Sequence, residues 1–176
     1  MRHVMLDLET LGTLPGSVIL AIGAVEFNGT ELGETFLRTI SLKSSLGLGL
    51  KIQAETLEWW IQQDPAVLQA QFKDAVSVFT AATDFRNWFN KEPDRVVWGN
   101  GASFDMPLLE AMYTAMQAGP PWTYRNQMCV RTILKVADVK IIAPSDKHNA
   151  LSDAVAQAQA VQVACDKLKV LNLLSN

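Results

Sequence analysis

The stretch Val18 to Phe27, VILAIGAVEF, is apolar and β-branched and runs into Asn28-Gly29. Side chains branched at Cβ suit a pleated surface, and Asn-Gly is a strong hairpin signal. A strand that turns back is therefore predicted, with Thr35 to Leu42 (TFLRTISL) alternating as its antiparallel partner. Arg2 to Leu8 reads as a short apolar strand before it. Val96 to Trp98, closed by Gly99, reads as a later one. Glu55 to Gln63, Ser77 to Asn90, Phe104 to Ala118, Val130 to Val139 and Asn149 to Leu168 carry helical patterns. Asp64-Pro65 starts one more helical turn, and Gly47 to Gly49 reads as a mobile loop. The class is α/β: a mixed central sheet, begun by a three-stranded antiparallel meander and flanked by helices.

Composition narrows the function. A chain of 176 residues suits a single domain, 1–176, and 49% apolar with 19% charged residues is ordinary for a globular protein. A net charge of −3 and a pI near 5.3 argue against a strongly cationic surface. If the partner is nucleic acid, broad phosphate neutralisation is not the main source of affinity. Cys129 and Cys165 are unclustered, which favours reduced thiols over a disulfide scaffold or zinc site. The opening residues lack a signal-peptide pattern and no apolar run reaches membrane-spanning length, so a cytoplasmic location is expected.

Three fragments carry chemistry. In MLDLETLG, Asp7 and Glu9 stand two apart on a predicted strand, hence on one face and about 7 Å apart, with Leu8 facing the core. Burying ionised carboxylates costs several kcal/mol without compensation, and a hard divalent cation compensates two of them well. The plainer alternative is a solvated sheet face paired with Arg or Lys. In WGNGASFD, Asp105 falls at a helix N-terminus just after a strand, a frequent place for active-site residues. It could equally serve only the helix dipole, and Asn100 only the turn. In KHNALSDA, His148 and Asp153 bracket the start of a long helix. A histidine there is more often structural than catalytic.

In order, D-x-E-T (Asp7-Leu8-Glu9-Thr10), F-D (Phe104-Asp105) and H-x-A-x-x-D (His148 to Asp153) resemble the DEDD superfamily of 3′–5′ exonucleases, in its DEDDh branch. With FNGTELGETF and ETLEWW between them, the chain looks most similar to the phage and prophage exonuclease VIII-type exodeoxyribonucleases. One departure stands out. Many relatives read N-x-x-F-D, whereas here Gly101 takes the asparagine's place and Asn100 stands one earlier.

The resemblance implies an RNase H-like mixed sheet, with parallel strands added to the meander. It implies two Mg2+ or Mn2+ ions held by Asp7, Glu9, Asp105 and Asp153, and His148 as general base. Substrate contacts would come from the backbone around Glu9, Thr10 and Leu11, from Asn100, and from an aromatic wall. Of Trp59 and Trp60, at most one faces a substrate, because helix neighbours point about 100° apart; Trp60 is taken as that residue, though both could be core. The implied function is 3′–5′ hydrolysis of nucleic acid 3′ ends, DNA favoured, to nucleoside 5′-monophosphates. RNA is the alternative substrate, since RNase T and oligoribonuclease share the motifs. A non-catalytic nucleic-acid-binding module and an unrelated protein with surface acids are the remaining readings. Relatives commonly dimerise, so a homodimer is a further expectation.

Overall fold

The computed structural model describes residues 2–101, 103–146 and 148–174. Five strands, β1 (His3–Thr10), β2 (Ile19–Phe27), β3 (Leu32–Thr39), β4 (Val96–Gly99) and β5 (Gln127–Cys129), form one sheet in the order β3-β2-β1-β4-β5. The meander β1-β2-β3 is antiparallel, and β4 and β5 add in parallel beyond β1. Among the described residues seven α-helices accompany them: α1 (Leu42–Gly47), α2 (Ala54–Ile61), α3 (Pro65–Ala70), α4 (Val78–Phe89), α5 (Asp105–Ala115), α6 (Val130–Ala137) and α7 (Ala150–Lys167). Among the described residues no helix is long and apolar enough to cross a membrane.

Alternation along β1 divides the molecule. Val4, Leu6 and Leu8 point into a large core that includes Trp60 of α2, Phe85 and Trp88 of α4 and Leu109 of α5. Met5 points the other way, into a smaller core built with Trp98, Val130, Leu134 and the small side chains Ala154, Ala158 and Ala164 of α7. His3, Asp7 and Glu9 share the face of Met5, so both carboxylates look toward α7 and not toward bulk solvent.

The strand opposite makes room for them. In the β1–β2 register Asp7 lies across from Gly23 and Glu9 across from Ala21. A Cβ placed on Gly23 would lie 2.2 Å from the backbone carbon of Ala150 and 2.4 Å from its oxygen. The start of α7 thus rests on bare backbone, which brings its first turn directly over the acidic end of β1.

Charge is also buried elsewhere, but paired. Arg95, just before β4, forms an ion pair with Glu26 of β2, donates to the Trp88 carbonyl at 3.1 Å and lies 5.4 Å from the Trp88 ring centre. Breaking such a pair from one side leaves an uncompensated charge, a loss of about 3–5 kcal/mol.

Several elements differ from the sequence expectation. The third strand starts at Leu32 and ends at Thr39, because the Ser41 hydroxyl accepts from the Ser44 N–H and caps α1 instead. The glycine segment 47–49 is a bonded helix exit: Gly49 N–H donates to Leu46 O at 3.0 Å and Leu50 N–H to Ser45 O at 3.2 Å. Helices α5 and α6 stop early, where Gln117 and Asp138 take left-handed backbone at φ +57° and +50°. Strand β5 has three half-buried residues, too few for any periodicity to register.

Candidate active site

Asp7 and Glu9 reach the site from β1, and Asp153 from the first turn of α7. That turn is fixed by Asn149, whose side chain accepts from the N–H groups of Leu151 at 3.1 Å and Ser152 at 3.3 Å. The Asn149 carbonyl also accepts from the Asp153 N–H at 2.9 Å. Asp7, Glu9 and Asp153 each offer a carboxylate oxygen, all within 4.8 Å of one another. Like charges this close repel strongly unless protons or cations intervene.

Asp105 begins α5 at the C-terminal end of β4 and is 1% exposed. It stands outside the trio. Its Oδ2 accepts from the Asn100 N–H at 3.1 Å, and the N–H groups of Leu8 and of Asp105 itself also favour its ionised form. Gly99 leaves space for this arrangement, since a Cβ there would sit 3.1 Å from Oδ2. Asp105 acts on the trio by charge: after burial, it is the largest influence raising Asp7.

The electrostatics of the group point one way. Burial, then Asp105 and Glu9, lift Asp7 well above the usual carboxylate range, opposed by a hydrogen bond from Gln157. Burial, then Asp153 and Asp105, push Glu9 up to about 8. Burial lifts Asp105 to about 7 against its backbone bonds, and lifts Asp153 against the pull of His148. Among the described residues the ion pairs are Arg38–Asp84, Lys91–Glu34 and Arg95–Glu26, none within this group. The reading of Asp7 and Glu9 as a solvated face paired with basic side chains does not fit. An all-oxygen, mutually repelling donor set fits hard divalent cations.

His148 precedes α7 and lines the same cleft, a space of about 500 Å³ bordered also by Thr10, Trp59 and Phe104. Its ring centre lies 5.0 Å from that of Trp59, nearly perpendicular at 87°, and 5.9 Å from that of Trp60. Thr10 is tied into the wall, its hydroxyl donating to the Gly12 carbonyl at 2.7 Å.

Three expected substrate contacts are placed differently. Trp60 is 1% exposed, and its Nε1 donates to the Thr10 carbonyl at 2.8 Å, so it supports the cleft from beneath. Trp59, 42% exposed, is the tryptophan with a free face. Leu11 is in the core, its N–H donating to Val18 O and its carbonyl accepting from Gln53 N–H, so neither backbone group is open to a ligand. The backbone N–H of Asn100 serves Asp105. The sequence reading also missed Gln157, buried at 4% exposure, whose Nε2 donates to Asp7 Oδ1 at 2.7 Å. Its signal was present: Gln157 follows Asp153 by four positions on a helix, hence on the same face.

This fold belongs to the RNase H-like class, here with an acidic cleft at one end of β1. The chain belongs to the 3′-5′ exoribonuclease Rv2179c-like domain family, whose model matches residues 2–165. It is thus a member of a family of 3′–5′ exonucleases. Among curated proteins none matches the sequence significantly. Among solved structures the chain is similar to the nuclease domain of 3′hExo, a DEDDh family member bound to rAMP, at 13% identity and TM-score 0.61, covering 93% of this chain and 91% of that one. It is similar to exonuclease X in complex with 5′ overhanging duplex DNA, at 13% identity and TM-score 0.59, covering 98% and 99%. It is also similar to S. pombe Pop2p in a Mg2+- and Mn2+-bound form, at 14% identity and TM-score 0.57, covering 97% and 85%. The matched family has an RNA-directed description, whereas the sequence resemblance pointed to exodeoxyribonucleases; the exonuclease VIII-type likeness gains no support.

Proposed function

We propose that the protein is a divalent-cation-dependent exonuclease that shortens RNA from its 3′ end and releases nucleoside 5′-monophosphates. The observation that carries this is the trio Asp7, Glu9 and Asp153, gathered within 4.8 Å with Glu9 buried and the other two half-buried, in a cleft shared with His148. RNA is favoured because the matched family is described as exoribonuclease-like. DNA is the second reading, supported by the motif resemblance and by the likeness to a structure holding duplex DNA.

Asp7, Glu9 and Asp153 would hold Mg2+ or Mn2+, with Asp105 adding charge behind them. Those ions would supply Lewis acidity at the scissile phosphate. The chain's own residues do the rest. A nitrogen of the His148 imidazole takes a proton from the attacking water, whose oxygen bonds to phosphorus as the bond to the 3′-oxygen breaks. The released 3′-oxygen is protonated from solvent. Trp59 offers its open face to the terminal base, a contact worth roughly 1–3 kcal/mol. The deciding experiment digests 5′-labelled RNA and DNA oligomers with Mg2+ or Mn2+. A shortening ladder on RNA, abolished by EDTA and by Asp7→Ala, is expected. A ladder on DNA alone would make DNA the substrate, and activity surviving both treatments would overturn the reading.

A further inference from the structure

His148 holds its position under unusual backbone conditions. Its φ is +59°, in the left-handed region that residues with a Cβ seldom occupy. Such a conformation costs of order 1–3 kcal/mol and persists only where surrounding contacts impose it. One flank of the residue borders a cavity of about 400 Å³ lined also by Ala21, Leu37, Val67, Ala70 and Gln71, while its ring packs against Trp59 and Trp60. Two contacts reach its backbone: the N–H donates to the Asp153 carboxylate, and the carbonyl accepts from Gln71, which caps the C-terminal end of α3 and is 5% exposed. Its Nε2 donates to the His148 carbonyl at 2.7 Å, across 77 positions of sequence, with a longer contact to the Val67 carbonyl at 3.4 Å.

We propose that Gln71 is a positioning residue: its side-chain amide pins the left-handed backbone of His148 and thereby aims the imidazole into the acidic cleft. The inference rests on the reading of His148 as proton acceptor. With the carbonyl held by Gln71 and the ring set against Trp59, the side chain is fixed at both ends. Without the amide, only the N–H bond to Asp153 still holds this backbone, and relaxation toward negative φ swings Cβ and the ring off the line of attack. A displacement of about 1 Å from productive geometry is enough to lower turnover about 100-fold.

The test is a double-mutant cycle with Gln71→Met, close in size but lacking the N–H donor, and His148→Ala. Turnover on the labelled oligomer is measured with Mn2+ saturating, beside KM, melting temperature and Mn2+ affinity by calorimetry. In the wild-type background Gln71→Met is expected to lower kcat about 10- to 100-fold while KM, melting temperature and Mn2+ affinity change little. In the His148→Ala background it should lower kcat no further, because Gln71 acts only through the missing ring. Equal losses in both backgrounds, or full activity of Gln71→Met where His148→Ala is crippled, would overturn the assignment of Gln71 alone. An unaffected His148→Ala enzyme would remove the general-base reading and this role with it. Should Gln71→Met fail to fold, Gln71→Asn, whose shorter amide cannot reach the carbonyl, decides by the same cycle. Failure of both to fold would make Gln71 structural and overturn the proposal.

Discussion

Gln157 gives the acidic site its finest control. One amide hydrogen bond at 2.7 Å orients Asp7, and the other end of that amide, Oε1, is buried with no partner among the described residues. Groups that hold a metal-binding carboxylate from behind typically contribute 10- to 100-fold to metal affinity. Gln157→Ala is therefore expected to weaken Mg2+ or Mn2+ binding by about 10-fold or more in calorimetry, while the protein stays folded. Unchanged affinity would show that Asp7 needs no support. At this scale the sequence was informative wherever a period decides orientation: Asp7 and Glu9 share a face because strands alternate, and the structure has them so. The two tryptophans were not decided this way. Helical spacing said that Trp59 and Trp60 diverge, but which of them packs depends on what lies under α2, and Thr10 lies there.

At the scale of elements, the site depends on how closely α7 approaches the sheet. The hairpin, the long helices and the strand before WGNG are legible because each is a long patterned segment. Strand β5 and helix α1 are not, since both are short and owe their form to neighbours: β5 to its parallel pairing with β4, α1 to the Ser41 cap. Gly23 is the least legible of all, as a strand glycine carries no pattern until the helix above it is known. Gly23→Ala would force a methyl group to within 2.2 Å of the Ala150 backbone, which no side-chain rotation relieves. A loss of about 1–3 kcal/mol in denaturant unfolding is expected, together with weaker cation binding as Asp153 moves away from Asp7 and Glu9. Gly29→Ala is the control. Its added carbon meets only Leu171 Cδ2 at an ordinary 3.6 Å, so unfolding should be nearly unchanged.

For the whole molecule, the buried acids link stability to pH and to cations. Folding raises Glu9 from 4.5 to about 8 and Asp105 from 3.8 to about 7, so the folded state binds these protons more tightly than the unfolded chain. Their contribution is fully present at acidic pH and is lost as pH climbs through those raised values. His3 works in the opposite sense. Burial, helped by Arg2, lowers it from 6.5 to about 4, so its contribution is lost as pH falls through that interval. Between pH 6.5 and 8.5 the carboxylates dominate, since Cys165 and Tyr113, both raised by burial, titrate at still higher pH. Chelator-treated protein should therefore melt lower at pH 8.5 than at pH 6.5, by roughly 5 °C or more, and saturating Mg2+ should remove most of the difference. A flat profile with chelator would mean that the acids are not forced together in the folded state.

The two halves of the site also differ in how they are anchored. β1 lies in the middle of the sheet, bonded to β2 along its length and to β4 over His3–Leu6, whereas His148 lies outside the sheet, its carbonyl bonded to Gln71, its N–H to the Asp153 carboxylate and its ring set against Trp59. The amide hydrogen of Leu6 should thus exchange with deuterium only when the sheet opens, while that of His148 exchanges through local opening at lower free energy. The two carboxylates carried by β1, Asp7 and Glu9, then keep their places in openings that release His148. On the proposed reading of His148 as proton acceptor, an opening confined to that segment would halt proton transfer while leaving Asp7 and Glu9 in place.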